Sequence, residues 1–370
     1  MLFREAGEKK VKWSAVMVGT LLFPAAAWAQ GSVTLYGTLD MGFLYTNKSL
    51  DVATGQNSGK QAELISSAME PSVFGMQGQE DLGGGMKAKF KLESGISLAN
   101  GGFDNSNENL FGRQAWVSLW SNYGEVKAGV QYSPFILALF DSDPRSMAQF
   151  GSAITVYANN TFSGTFNSNA ISYTSPKIAG LTASAMYVLG GVAGDFHAGR
   201  QYSASLKYEY GGLMVNAAVD DESNSNDAAV NGSFFTQPFE GRTVGVAYRF
   251  ATVNVKASFT NYKGPQMVVD GVTSGGDSNV WNIGFDYFAL PELDINSGVW
   301  IVRDPHDSNN HSMTWALGTT YFLSKTTSLY AQIGVVNNHG ADVYGLDRDG
   351  AQEGVKGTTM GASLGIVHKF

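Results

Sequence analysis

The sequence predicts an all-β fold: a 16-stranded antiparallel barrel spanning a membrane, with short periplasmic turns and long external loops. Three observations carry this expectation. Apolar and polar residues alternate with a period of two in one segment after another. Short turns alternate with long connections rich in Gly, Asn, Ser and Asp, as in outer-membrane barrels. The chain also opens on an export-type leader.

The leader, MLFREAGEKKVKWSAVMVGTLLFPAAAWAQ, carries Arg4, Lys9, Lys10 and Lys12, then an apolar run over 13–23, Pro24 and the small-residue site Ala27-Trp28-Ala29. It reads as a secretory signal peptide over 1–29, cleaved after Ala29, with 30–370 as one barrel domain. Its apolar run is too short for a membrane helix, which needs ~20 residues. Removing its four basic and two acidic residues leaves 20 basic against 30 acidic, a net charge of −10. That balance excludes a nucleic-acid binder, which needs a basic patch. Cysteine is absent, so packing and hydrogen bonds must hold the exported fold. Charged residues make up 15% of the chain, low against the ~25% of soluble domains.

The expected strands are 32–46, 72–80, 86–98, 110–121, 125–133, 169–176, 181–190, 200–210, 213–221, 241–250, 252–262, 278–289, 293–303, 311–322, 327–337 and 357–370. In MKAKFKLESGI, Met86, Ala88, Phe90, Leu92 and Ile96 share one face, and Lys87, Lys89, Lys91 and Glu93 the other. TVNVKASFT sets Val253, Val255, Ala257 and Phe259 against Asn254, Lys256 and Ser258. In LFGRQAWVSLW both faces carry apolar residues, so its inward side stays open; Trp116, Trp120, Trp281 and Trp315 read as girdle or subunit-interface residues. The short turns are DLGGG (81–85), NYG (122–124), PKIAG (176–180), GG (211–212), LPE (290–292) and LSKT (323–326), and the long segments 47–62, 99–109, 134–168, 222–240, 263–277 and 338–356. A soluble sandwich would also alternate. Many of these strands run past ten residues, matching the ~9–11 of a tilted membrane strand rather than the ~5–6 of a soluble one. An unpaired edge in lipid leaves backbone groups unsatisfied at several kcal/mol each, so the last strand must pair with the first. Phe370 is then expected at the interfacial aromatic girdle.

SVTLYGTLDMG, FGMQGQEDLGGGMKAKFKLESG, LFGRQAWVSLWSNYGEVKAG, NAISYTSPKIAGL and the terminal GIVHKF closely resemble general porins of Gram-negative bacteria, of the beta-proteobacterial type. The matches run in chain order from residue 32 to 370. The resemblance implies a homotrimeric outer-membrane barrel passing small hydrophilic solutes, embedded in lipid and lipopolysaccharide. Its third loop, about 134–168, would fold into the lumen as the constriction, and Phe370 would be the signal read by the barrel-assembly machinery. In this family the wall opposite that loop carries an arginine cluster. Here Arg113 keeps its place in FGRQA, whereas Val73, Phe166, Val130 and Val367 stand where relatives often carry arginine.

The constriction candidates are therefore Arg113, Val73 and Phe166 on the wall, and Asp141, Asp143 and Arg145 on the loop. Acid on the loop facing base on the wall would set up a transverse field of the kind that selects ions. With both sides depleted, the expected selectivity is weak, near neutral or mildly cation-preferring. Asp40, Lys87, Lys89, Lys91, Glu93 and Lys127 fall on the lumen parity, where a solvated wall charge and an ion contact are both open. The five histidines lack metal spacing, and no nucleophile and base stand out, so neither a zinc site nor an enzyme is expected. No cofactor is expected; DPHD at 304–307 and DRDG at 347–350 have acidic spacing that could hold a loose Ca2+ ion.

The primary reading is a passive diffusion channel for ions and small hydrophilic solutes. The alternative is a substrate-preferring channel whose Tyr157, Asn159, Asn160 and Phe166 hold a sugar or an amphipathic solute, marked by saturable block. A third reading, a secreted β-rich binding or adhesion protein, predicts soluble fractionation.

Overall fold

The computed structural model describes residues 32–160, 165–222, 239–269 and 272–370. The leader lies outside the described residues, as does 161–164 of the third long segment. The strands are β1 (Ser32–Asp51), β2 (Gln56–Ser66), β3 (Val73–Gly83), β4 (Met86–Gly95), β5 (Gln114–Ser121), β6 (Gly124–Tyr132), β7 (Phe166–Thr174), β8 (Leu181–Val188), β9 (Gln201–Tyr210), β10 (Leu213–Asp221), β11 (Glu240–Phe250), β12 (Val253–Lys263), β13 (Gln266–Val269), β14 (Val272–Gly275), β15 (Ser278–Leu290), β16 (Leu293–Arg303), β17 (His311–Phe322), β18 (Thr327–His339), β19 (Tyr344–Asp347), β20 (Ala351–Glu353) and β21 (Gly357–Lys369). Two helices, α1 (Pro134–Ser142) and α2 (Ala153–Asn160), lie in the third long loop, hereafter loop 3.

Seventeen strands join one sheet, and β13–β14 and β19–β20 form separate hairpins. The upper part of β1 pairs with β2, Met41 opposite Ser66, and its lower part with β3, Thr38 opposite Val73. Strands β2 and β3 thus fill one position around the barrel, interrupted by 67–72, which makes sixteen positions. Each strand expected from the sequence is present. Strand β2 is an addition, within a stretch read from the sequence mainly as loop. The barrel closes between β1 and β21, from Thr38 opposite Lys369 to Thr46 opposite Gly361. Phe370 and Gly37 extend that seam by exchanging backbone hydrogen bonds of 3.0 and 3.1 Å. Its ring points outward, half exposed, at the turn end.

Alternation sets the two faces. Along β11, Val244 and Val246 point out, while Thr243, Gly245 and Ala247 are buried inside. The β3–β4 turn needs its glycines: Gly83, Gly84 and Gly85 have φ of 78, 61 and 79°, a region that strains a residue with a Cβ. Asp81 fixes the turn by accepting the Gly83 N–H at 2.8 Å.

The buried apolar cluster lies inside the barrel, between loop 3 and the wall. Phe135, Ile136, Leu139, Phe150 and Tyr157 of the loop pack with Tyr262, Trp300, Val336 and Leu346. Glycines on the inner face make room for it. A Cβ at Gly245 would stand 2.4 Å from the Ser142 Cβ, one at Gly284 2.7 Å from the Pro144 Cβ, and one at Gly334 2.9 Å from the Phe150 ring. Such distances are shorter than real carbon contacts, so loop 3 can lie against the wall only where it is bare.

Candidate functional site

Loop 3 starts with a capped helix. The Ser133 side chain accepts the Ile136 N–H at 3.2 Å, and Pro134 occupies the first turn, where its missing N–H is not needed. Helix α1 packs on β8–β12. Its Phe135 N–H donates to Ser203 Oγ at 3.1 Å, and its Ala138 carbonyl accepts from Asn216 Nδ2 at 2.8 Å. The face turned to the lumen presents Leu137 and Phe140, 47% and 37% exposed. Asp141, partly exposed beside them, pairs with Lys207 of β9 at 3.2 Å.

Asp143 and Arg145 sit elsewhere: both are buried between loop and wall. Asp143 Oδ1 accepts from Trp300 Nε1 at 3.2 Å and from the Ala153 N–H at 3.0 Å; its Oδ2 accepts the N–H groups of Arg145 and Met147 at 3.1 and 2.7 Å. Burial pushes its carboxyl above the ordinary value, against the pull of those N–H donors, Lys256 and Arg145. Arg145 donates through Nε to Asn296 Oδ1 at 2.8 Å, through Nη1 to the Phe150 and Gly151 carbonyls at 2.5 and 3.0 Å, and through Nη2 to Gln332 Oε1 at 2.5 Å. These two charges clamp the loop to β15–β18 rather than face the lumen. Tyr157, Asn159 and Asn160 are also buried, at 2, 3 and 6% exposure, and do not line a solute path.

Asp40 is a second clamp. Fully buried, it accepts the N–H groups of Met69 and Glu70 at 2.6 Å each and the Tyr330 hydroxyl at 2.7 Å. It thereby holds the 67–72 break inward, where Met69 O accepts the Gln149 N–H at 2.9 Å and Ala68 O accepts from Gln332 Nε2 at 3.1 Å. Val73, 8% exposed, starts β3 just below.

Arg113 is 5% exposed. It donates to Glu93 Oε1 at 3.1 Å, to the Asn105 carbonyl at 3.2 Å and to the Tyr132 hydroxyl at 2.8 Å, and its guanidinium lies 4.8 Å from the centre of the Phe166 ring. Glu93 also accepts from the Tyr36 hydroxyl at 2.7 Å and pairs with Lys91 at 3.0 Å. The structure thus brings Arg113, Phe166, Glu93 and Lys91 together, and keeps the three loop charges apart from them.

The two helices of loop 3 make their main contacts with β8–β12, β14, β19 and β20, and the inner faces of β4, β5 and β6 keep partly exposed side chains beside this cluster. There Lys87 stands opposite Trp120, Lys89 opposite Ser118 and Lys91 opposite Trp116, and Ser118 stands opposite Lys127. Lys127 lies 4.5 Å from the Trp116 ring centre, Lys87 and Lys89 lie 5.7 and 5.5 Å from that of Trp120, and Lys91 lies 5.2 Å from that of Tyr36. Lys89 also pairs with Glu125 at 3.4 Å. Trp116 and Trp120 are therefore lumenal, correcting their reading as girdle residues; Trp281 faces outward, 41% exposed. The tight turn at 122–123 already carried the signal, because Trp120 opposite Glu125 must share a face with that charge.

The acid runs serve their own turns. Asp304 Oδ1 accepts the N–H groups of His306 and Asp307, and Asp347 Oδ1 those of Asp349 and Gly350. Among the described residues, no group of three or more His, Cys, Asp or Glu is placed to hold a metal ion.

Comparison with known proteins agrees with this geometry. A family model described as Gram-negative porin matches residues 14–341. Outer membrane porin protein 32 of Delftia acidovorans is 28% identical, over 97% of this chain and 100% of that protein. An anion-selective porin from Comamonas acidovorans superposes with a TM-score of 0.75 at 26% identity, covering 92% of this chain and 100% of that one. The trimer form of the Vibrio cholerae outer membrane protein OmpT shares the fold at 14% identity, with a TM-score of 0.63 over 92% of this chain and 99% of that one. The chain therefore belongs to the Gram-negative porin family, the non-enzymatic β-barrel channels of the outer membrane.

Proposed function

We propose that the lumen passes ions and small hydrophilic solutes passively, with a weak preference for anions set by the wall of β4, β5 and β6. One observation carries this: that wall presents Lys87, Lys89, Lys91 and Lys127 against only Glu93 and Glu125. Counting lost arginines leans the other way, but Asp143 is enclosed and Asp141 is paired, so the loop offers little opposing charge. The anion-selective porin from Comamonas acidovorans supports the same sign. The V. cholerae trimer supports a homotrimer here. A signal peptide over 1–29 with a single 30–370 barrel, lipid and lipopolysaccharide around it, and recognition of Phe370 by the assembly machinery complete the reading.

The test is purified protein in a planar bilayer under a KCl gradient. The expected record is stepwise openings in groups of three with a small reversal potential on the anion side, shrinking at high salt as screening shortens below ~8 Å. Lys89→Gln with Lys91→Gln should carry the reversal to zero or past it. A cation-side reversal in the unaltered protein would sink the proposed sign.

A further inference from the structure

We propose that Trp116, Trp120 and the lysines packed on them form a lumenal binding track for aromatic carboxylates. The inference rests on the anion-leaning reading above and names the anions the wall prefers.

The counter-charges of the lysines are the first argument. Among the described residues, Lys91 and Lys89 pair with Glu93 and Glu125, whereas Lys87 and Lys127 make no ion pair and lie over indole faces instead. An indole holds an ammonium far more weakly than a carboxylate does. An incoming carboxylate therefore improves the partner of Lys127 or Lys87, and its departure leaves the lysine somewhere to rest.

Position is the second argument. Outer-membrane barrels place tryptophan in lipid-facing girdles. Here two indoles project into the water-filled side of the wall, and neither is buried. Above them, α1 turns Leu137 and Phe140 to the same lumen. Apolar surface beside unpaired ammonium groups suits a flat apolar body with one negative end.

The remaining polar groups argue against a sugar. A sugar on an indole needs free amides and carboxylates at its rim. Gln114 Oε1 accepts from Trp116 Nε1 at 2.7 Å, Glu125 accepts from Ser118 Oγ at 2.7 Å and pairs with Lys89, and Glu93 is held by Arg113, Tyr36 and Lys91. These acceptors are engaged, whereas Lys87 and Lys127 make no ion pair among the described residues.

Trp116 and Trp120 are four residues apart on β5, so ~13 Å at ~3.3 Å per residue. One small ring cannot stack on both. The wall thus offers two successive stations, each with its own lysine, and weak binding at several sites lets a solute move on instead of plugging the channel.

The experiment uses the intact protein in a planar bilayer in KCl, titrated with sodium benzoate or sodium cyclohexanecarboxylate, which share charge and approximate size but not a flat π-face. Benzoate is expected to reduce chloride current saturably, with half-block about tenfold below that of cyclohexanecarboxylate, the scale of one aromatic stacking contact. In Trp116→Leu with Trp120→Leu the difference should vanish, and in Trp116→Phe with Trp120→Phe it should persist. Equal half-block by the two acids, block that never saturates, or a difference that survives the leucine pair overturns the proposal. The comparison in unaltered protein decides even where the leucine pair fails to fold. Failure of the underlying anion reading shows separately, as a cation-side reversal in KCl alone.

Discussion

An Arg145→Ala channel is expected to form its barrel but lose its constriction. The guanidinium makes four hydrogen bonds, to Asn296, Gln332 and the carbonyls of Phe150 and Gly151. Bonds to a charged donor contribute ~1.5–3 kcal/mol each and are not additive, so removing the side chain should weaken loop docking by at least ~3 kcal/mol. The sheet uses none of these bonds; its ladders run backbone to backbone. The loss therefore falls on the loop, and 143–151 should leave β15–β18. Unit conductance should rise and become noisier, and liposomes should swell in a trisaccharide that the unaltered channel excludes. Arg145→Lys keeps the charge but not the fork, and should fall between. Unchanged conductance and exclusion in the alanine variant would show that the clamp does not hold the loop.

Glu93→Ala should be the most destabilising change on the opposite wall. It removes the carboxylate that Arg113, Lys91 and Tyr36 share. Arg113 is 5% exposed, so it would be left as a buried cation without its counter-ion, a loss of ~3–5 kcal/mol. Thermal conversion of the folded to the unfolded form on a gel should occur at a lower temperature, and the reversal potential should move toward anions as one acid leaves the lumen. Glu93→Gln retains an acceptor for the Tyr36 hydroxyl and should recover part of the stability but none of the charge. A Glu93→Ala protein with unaltered melting would mean that the cluster is solvated rather than structural.

The barrel strands were legible because the bilayer writes a period of two onto each of them. Strand β2 was not. Its outer residues, QNSGKQAE, stay polar on both faces, so no apolar face marks it as a strand. Asp143 and Arg145 were misjudged for a related reason: charges in a polar loop are usually solvated, and only Trp300, Asn296 and Gln332, brought in by distant strands, make these two internal. The complementary signal lay in the small inward positions Gly245, Gly284 and Gly334, which clear a bed for the loop. Trp116 and Trp120 looked like girdle residues because tryptophan usually is; the register with Lys87 and Lys91 decides otherwise.

The anchors of loop 3 also impose an order of events on biogenesis. Arg145 and Gln332 are 187 residues apart in the chain, and the Asp40–Tyr330 contact spans 290. Neither can exist before β18 has entered the sheet. Helix α1 can dock as soon as β8–β12 are in place, but the stretch that Arg145 anchors cannot, so the last part of the narrowing arrives after the wall is complete. During refolding, proteolysis within 143–160 should cease only after the heat-resistant barrel has appeared; protection that precedes it would reverse that sequence.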